Sequence, residues 1–445
     1  RIDNAQADVR WTGGASSLAL KWGADDQRNG LPGAISETKI VVNRKQAATP
    51  YDFATQRGGY LNLAAQTQIG SADLEVNLGH RDRDITASFL VGTPFRNNVD
   101  TQVSVWTLTP RLRLKPQFGG WDNYLVIGMD FDNWAFDANA GPARVGWLHF
   151  TQRSAALYAQ HTMSFATQTT LVLGAREQRV RYGVNDIGNP AASGTRSRTL
   201  LAWDISARQT LAPGINAYSK VSNSFRLPNA DNNYSLVAAT VTLLEPQTAH
   251  DMQAGLEGSS GPVRYRAAVY RVDLRNEMFP DPRTFGNRSR QPLSRQGLEL
   301  EARWQAGASL ELHANYTYAD ARFREGNVGG VSIAGNRVPL APRHALNAGL
   351  GWSLSGGTRA DFDVRHVGSS SFDADETNTF GRKIPAYTVA DLKLSMRGGG
   401  WRLNAGVHNL FDQKYFRYGV VTGPTYLAFP MPERTVFVSA QYTFQ

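Results

Sequence analysis

The 445-residue chain has no cysteine. Disulfides, thiolate metal sites and cysteine nucleophiles are therefore excluded. The lack also suits passage through an oxidising periplasm, where a stray thiol is a hazard, although cysteine-free cytosolic proteins are common too. Apolar runs long enough for a membrane helix (about 18 residues) are missing. Blocks of five or six basic residues are missing as well, despite a net charge of +9. Lys and Arg are scattered and matched nearly everywhere by Asp and Glu, so nucleic acid is not an expected partner. The charges read instead as solvated loops and a wet interior, with a bias toward anionic ligands or lipid phosphates. The chain opens at Arg1 rather than Met and shows no signal peptide, so it is expected to start inside something longer or to have been processed.

Enzymatic signatures are absent in the same way. There is no G-x-S-x-G, no Walker-type glycine loop and no H-E-x-x-H. The eight histidines stand singly. Asp373-Ala374-Asp375-Glu376 offers carboxylates to calcium but lacks the rest of an EF-type loop, so it reads first as a plain acidic loop. The carboxylates Glu299, Glu301, Asp361 and Asp363 alternate along strands beside Arg303 and Arg365. They read as water-facing polar groups rather than catalytic pairs. No catalytic residue, metal or cofactor is expected.

What the sequence does have is period-two alternation in segments of about ten residues. Leu298, Leu300, Ala302 and Trp304 alternate with Glu299, Glu301 and Arg303. Leu201, Trp203, Ile205 and Ala207 alternate with Ala202, Asp204, Ser206 and Arg208. Val436, Val438, Ala440 and Tyr442 alternate with Thr435, Ser439 and Gln441, and Phe437 breaks the pattern. Charges recur in mid-strand on one face, where a small soluble barrel needs a dry core. Lipid outside and water or a polar plug inside account for both faces. Such a sheet must close, because every backbone group in lipid needs a partner. A soluble all-β protein is the fold alternative.

The connections alternate short and long. Short turns fall at 12–16, 69–72, 118–121, 165–168, 212–214, 258–262, 306–308, 355–357 and 398–400, and polar loops such as 27–52, 132–151, 226–247 and 372–385 lie between them. Outer-membrane barrels have short periplasmic turns and long extracellular loops. The expectation is an all-β, transmembrane antiparallel β-barrel domain over residues 1–445, with about 19 strands. Single-chain bacterial barrels have even strand numbers, and here the first and last strands both run toward the periplasm. Missing N-terminal strands are therefore expected.

Several motifs resemble those of the TonB-dependent outer-membrane receptors. Asn409-Leu410-Phe411-Asp412 with Tyr415 resembles their NLFD-x-x-Y signature. Ser224-Phe225-Arg226-Leu227-Pro228-Asn229 and Leu244-Glu245-Pro246-Gln247-Thr248 resemble their FR-x-P and L-x-PE segments, with Gln in place of Glu in the second. Arg295–Glu299, Pro339–His344 and the aromatic end Tyr442-Thr443-Phe444 also match, although the chain closes on Gln445 rather than Phe. The resemblance implies a 22-strand barrel filled by an N-terminal plug, so roughly three strands and the plug are expected upstream of Arg1. It implies no enzyme. It implies an outer-membrane receptor for TonB-dependent uptake of a scarce nutrient, foremost a ferric siderophore. Cobalamin or another organic cofactor is the alternative ligand. A haem ligand is disfavoured, because the loop 226–247 holds no histidine. A passive channel or adhesin is the alternative class. The implied partners are a small-molecule chelate, the TonB–ExbB–ExbD complex through the region upstream, and outer-membrane lipid and lipopolysaccharide.

Aromatics beside arginines suit a planar or anionic chelate by stacking and charge-assisted hydrogen bonds. The ligand candidates on loops are Phe95 and Arg96, then Trp134, Arg144 and Trp147, then Arg226 and Tyr234, then Arg288 and Arg290, then Tyr415, Arg417, Tyr418 and Tyr426. Phe89, Phe136 and Phe285 lie among them. The competing reading is an interfacial aromatic girdle.

Overall fold

A computed structural model of the chain describes residues 2–90, 96–141, 147–235, 240–283 and 286–443. It contains one antiparallel sheet of 19 strands. The first nine are β1 (Ile2–Gly13), β2 (Ser16–Gly30), β3 (Phe53–Ile69), β4 (Ala72–Leu90), β5 (Arg96–Leu114), β6 (Asp122–Gly141), β7 (Leu148–Ser164), β8 (Thr169–Asp186) and β9 (Gly194–Ala212). The rest are β10 (Ile215–Arg226), β11 (Gln247–Ser260), β12 (Val263–Arg275), β13 (Leu293–Gln305), β14 (Leu310–Phe323), β15 (His344–Ser353), β16 (Thr358–Val367), β17 (Tyr387–Gly398), β18 (Trp401–His408) and β19 (Thr435–Tyr442). Each pairs with its neighbour in sequence, so the sheet is an uninterrupted meander. Among the described residues, β1 and β19 each pair on one side only. No described helix is long and apolar enough to cross a membrane, a statement that does not bear on a β-barrel, which crosses with strands.

The nine expected short turns are all present. Local chemistry explains two of them. Gly70 sits at φ 61 between Ile69 and Ala72, and Gly399 and Gly400 have φ 56 and 81. Tight hairpin turns need positive φ, which glycine adopts without a Cβ clash.

Alternation assigns the two faces. On β6, Ile127, Met129 and Phe131 point one way and are exposed, as are Leu157 on β7, Trp106 and Leu108 on β5, and Leu201 and Ile205 on β9. Exposed apolar side chains gathered in a belt fit lipid, not water. From Trp106 to Leu114 the strand advances roughly 27 Å at about 3.4 Å per residue. Once strand tilt is allowed for, that matches an outer-membrane apolar band of about 25 Å. Aromatic side chains edge the belt. Phe118, Trp121 and Phe165 cluster at the short-turn end, and Trp106 stacks on His80 at the other end with centroids 4.2 Å apart.

The opposite face is lined with paired charges. Glu75 accepts from Arg111 and from Arg113 (2.6 Å). Arg176 pairs with Asp130, Arg208 with Glu257 (3.0 Å) and Arg359 with Asp361 (2.7 Å). Phe437, the residue that breaks the alternation of the last strand, lies on this inner face. It stacks on His408 at 4.9 Å and covers Gly406, where a Cβ would come within 2.6 Å of its ring.

Above the belt the polarity inverts, which corrects the expected loop boundaries. Residues 132–141 and 148–151, read from sequence as one long loop, are strand, so only 142–147 connect β6 to β7. Phe89, Arg96, Trp134 and Phe136 are therefore strand residues, not loop residues. Here the outer positions are Asn133, Asp137, Arg153, Arg179 and Arg181, and the inner ones are Phe136, Ala138, Leu148, Phe150, Val180, Tyr182 and Val184. The inner residues form a core closed by Leu227, Ala230, Val241 and Leu243 of the connection between β10 and β11. Each such fully buried aromatic or aliphatic side chain contributes roughly 1.5–3 kcal/mol. A second inner core, Leu274, Leu293, Ala321, Phe323, Ile333 and Val338, lies under the β14–β15 connection. We call this upper zone the collar.

Candidate functional site

The collar over the C-terminal strands is built from four connections. Residues Ile35–Ser36 of the β2–β3 loop pair with Leu427–Ala428 of the β18–β19 loop, adding an edge to the hairpin Phe416–Thr422/Thr425–Pro430. Buried Phe372 packs between Phe380 (5.4 Å), Phe416 (6.1 Å) and Tyr426 (4.6 Å). Arg382 covers the Tyr426 ring at 4.9 Å and forms a bidentate pair with Glu37. This ties the first long loop to the β16–β17 connection and, through Tyr426, to the last loop.

Beneath it, Tyr418 donates its hydroxyl to Asp373 Oδ2 at 2.9 Å. Burial and the adjoining carboxylate push the Tyr418 pKa well up, so it stays a neutral donor at any physiological pH. Asp375 accepts the backbone N–H groups of Thr379 and Phe380 (2.9 and 3.2 Å), and burial raises its pKa. Glu376 accepts from Arg283 at 3.0 Å, and Arg283 also donates to buried Asp281 at 3.0 Å. Arg288 approaches the same Asp281 at 3.4 Å. Arg290 lies 4.3 Å over Phe279 and 3.6 Å from Glu277. The acidic segment 373–376 is thus committed to protein partners, and the described residues contain no three-ligand metal cluster.

Asn409 acts through its turn. It holds φ 53; its Nδ2 donates to Gln413 O (2.9 Å) and Pro432 O (3.3 Å), and its Oδ1 accepts from Gln413 N (2.8 Å). Its own N–H reaches Asp391, Leu410 N–H donates to Ala390 O, and Asp412 accepts from Arg434 N–H. The motif clamps both ends of the last loop to β17, while Phe411 points out to solvent. Tyr415 stacks on Tyr387 at 4.4 Å, and the Arg417 guanidinium lies 5.9 Å from the Tyr415 ring. Both line a cavity of about 690 Å³ on the inner face, together with Asn347, Asp363, Arg365, His408 and Glu433.

The remaining candidates are dispersed. Trp134 faces inward on β6, with the Arg81 guanidinium 5.7 Å from its ring. Arg226 ends β10, exposed and inward, and Trp147 precedes β7. Phe95, Arg144 and Phe285 lie outside the described residues, as do the side chains of Arg96 and Tyr234. The structure therefore joins Arg288, Arg290, Tyr418 and Tyr426 into one framework and places Tyr415 and Arg417 in the cavity. It leaves Trp134, Trp147 and Arg226 apart from both. Sequence reasoning passed over Arg81 and Arg83. The signal was there in Arg81-Asp82-Arg83-Asp84, which at period two puts both positive charges on one face.

Residues 2–410 match the family described as TonB dependent receptor-like, beta-barrel. Among curated proteins, the chain is 27% identical over 400 residues to the ferrioxamine B receptor of Salmonella typhimurium, covering 85% of this chain and 51% of that protein. It is 24% identical over 392 residues to the ferrichrome outer membrane transporter/phage receptor of Escherichia coli K12, covering 84% and 48%. The chain thus spans about half the length of the curated relatives it matches. These relatives are transport receptors, not enzymes. Among solved structures, the unliganded ferric citrate transporter FecA superposes with a TM-score of 0.84 at 17% identity, over 99% of this chain and 69% of that one. The ferric yersiniabactin uptake receptor FyuA of Yersinia pestis gives 0.81 at 15% identity, over 100% and 71%. At these identities the superpositions establish the fold.

Proposed function

This chain belongs to the TonB-dependent receptor β-barrel family, whose barrels are outer-membrane proteins, and from that premise we propose that it forms the wall and outer mouth of a receptor that imports a ferric siderophore. One observation carries the reading. The strands switch between Phe131 and Asn133 from a lipid-facing belt to a water-facing collar with a packed interior. A passive pore needs the belt but not a collar filled by four cross-braced loops. In this reading, Trp134, Arg226, Tyr415 and Arg417 contact the ligand, and Arg288, Arg290, Tyr418 and Tyr426 hold the loops that present them. Phe95, Arg96, Arg144, Trp147 and Tyr234 remain ligand candidates by residue type. Energy comes through TonB–ExbB–ExbD, and the belt sits in outer-membrane lipid beside lipopolysaccharide.

Growth on defined iron sources tests the proposal. Deleting the gene abolishes growth on at least one ferric chelate while leaving growth on ferrous salt intact, and the gene restores it. Unchanged uptake of every ferric chelate overturns it.

A further inference from the structure

The inner wall of the collar holds two arginines that the protein itself leaves unneutralised. On β5 to β9, six other inward arginines reach carboxylates: Arg111 and Arg113 on Glu75, Arg176 on Asp130, Arg196 and Arg198 on Glu245, and Arg208 on Glu257. Among the described residues, Arg81 and Arg83 on β4 have no carboxylate within ion-pair distance. Their sequence neighbours Asp82 and Asp84 project from the opposite face. Arg83 keeps a buried Nε–H without an acceptor. A buried, unmet guanidinium donor is costly unless something arrives to accept from it.

The surroundings suit a flat group. Tyr60 stands opposite Arg81 across β3 and β4, and its ring lies over Gly23, where a Cβ would fall 2.3 Å away. Trp134 flanks Arg81 from the other side at 5.7 Å. Gly58, opposite Arg83, leaves that position bare. Val103 and Val105 of β5 supply an apolar floor opposite Arg83 and Arg81. Packing on Trp134 alone accounts for Arg81, but it does not account for the open donor of Arg83.

We infer that Arg81 and Arg83, between Tyr60 and Trp134, form the subsite for a planar, anionic oxygen-donor group of the ferric ligand, a catecholate or carboxylate rather than a neutral hydroxamate. The inference rests on the ferric-chelate reading above and narrows it. Two guanidiniums donate stronger, charge-assisted hydrogen bonds to an anion than to a neutral ligand.

The test measures chelate binding to outer-membrane vesicles carrying the protein. One probe is the trianion ferric tris(catecholate), and the other is neutral ferric tris(acetohydroxamate). The protein binds the anion at least tenfold more tightly, and added salt narrows the gap. Arg81→Gln/Arg83→Gln abolishes the preference while leaving the neutral affinity and the melting temperature unchanged. Arg153→Gln, on the outer face, leaves the preference intact. Equal or tighter binding of the neutral chelate overturns the inference alone, as does a preference that survives in the double variant. Absence of binding by either chelate overturns the ferric-chelate reading with it.

Discussion

Two halves of one strand obey opposite rules. In the lower half of β6, Leu125, Ile127, Met129 and Phe131 face out while Asp130 faces in. In the upper half, Asn133, Asp137 and Asn139 face out while Trp134, Phe136 and Ala138 face in. β7 and β8 repeat the reversal, Leu157 against Arg153 and Leu173 against Arg179, with β8 already charged at Glu177 opposite Leu157. The backbone does not change; the solvent does. Lipid rewards apolar atoms on the outside, and the polar lumen holds the charges. Above the bilayer, water takes the outer face and inserted loops take the inner one. Period two is therefore a property of the whole strand, whereas the sign of each face is local.

The strongest challenge to this contrast is a core deletion in the collar. Phe150→Ala costs about 3–5 kcal/mol, because the neighbouring Tyr182 and Phe136 cannot collapse into the space. Denaturant unfolding in detergent reads the loss, and a value below about 1 kcal/mol means that the collar interior is not packed. Next, Ile127→Arg in the belt costs about 2–4 kcal/mol, whereas Asp137→Arg on the same face of the same strand, which loses a pair with His149, costs at most about 1 kcal/mol. Equal costs erase the boundary. Asn409→Ala forfeits a left-handed backbone position and three side-chain hydrogen bonds, together about 2–3 kcal/mol. Limited proteolysis then opens residues 410–434 first, and Asn409→Gly recovers the backbone part only.

The smallest effect is a pH step. The hydrogen bond from Arg198 holds Glu245 below the usual carboxylate range. Its contribution is fully present above the unfolded value of about 4.3 and is lost as pH falls through the lower folded value. Both side chains are half-exposed, so screening keeps the step small. Corrected for the intrinsic pH dependence of exchange, protection of residues 227–246 falls slightly below pH 4 in the native protein. In Glu245→Gln it is already slightly lower at pH 7 and shows no step.

Much of this was legible in the sequence. The number of strands, the nine turns and the alternating loop lengths follow from period two and from glycine-bearing turns. The family motifs are legible too, because turns such as the one at Asn409 depend on residues close in sequence. The collar strands were not, because polar residues at 133, 137 and 139 look like loop once lipid is assumed on their side. The loop contacts were not legible either. Ile35 against Ala428 and Glu37 against Arg382 are pairings across almost the whole chain, and no local pattern encodes them. The acidic run at 373–376 looked available to a cation from sequence, yet its partners Tyr418, Arg283 and the backbone of residues 379–380 arrive only through folding.

The absence of cysteine makes the decisive measurement direct. Single cysteines placed at the outward positions 125, 127, 129, 131, 133, 135, 137 and 139 of β6, spin-labelled in bilayers, report contact with dissolved oxygen or with a water-soluble relaxation agent. The account predicts lipid-type accessibility through Phe131 and water-type accessibility from Asn133 onward. Lipid-type accessibility continuing to Asn139, or water-type accessibility at Ile127, contradicts it.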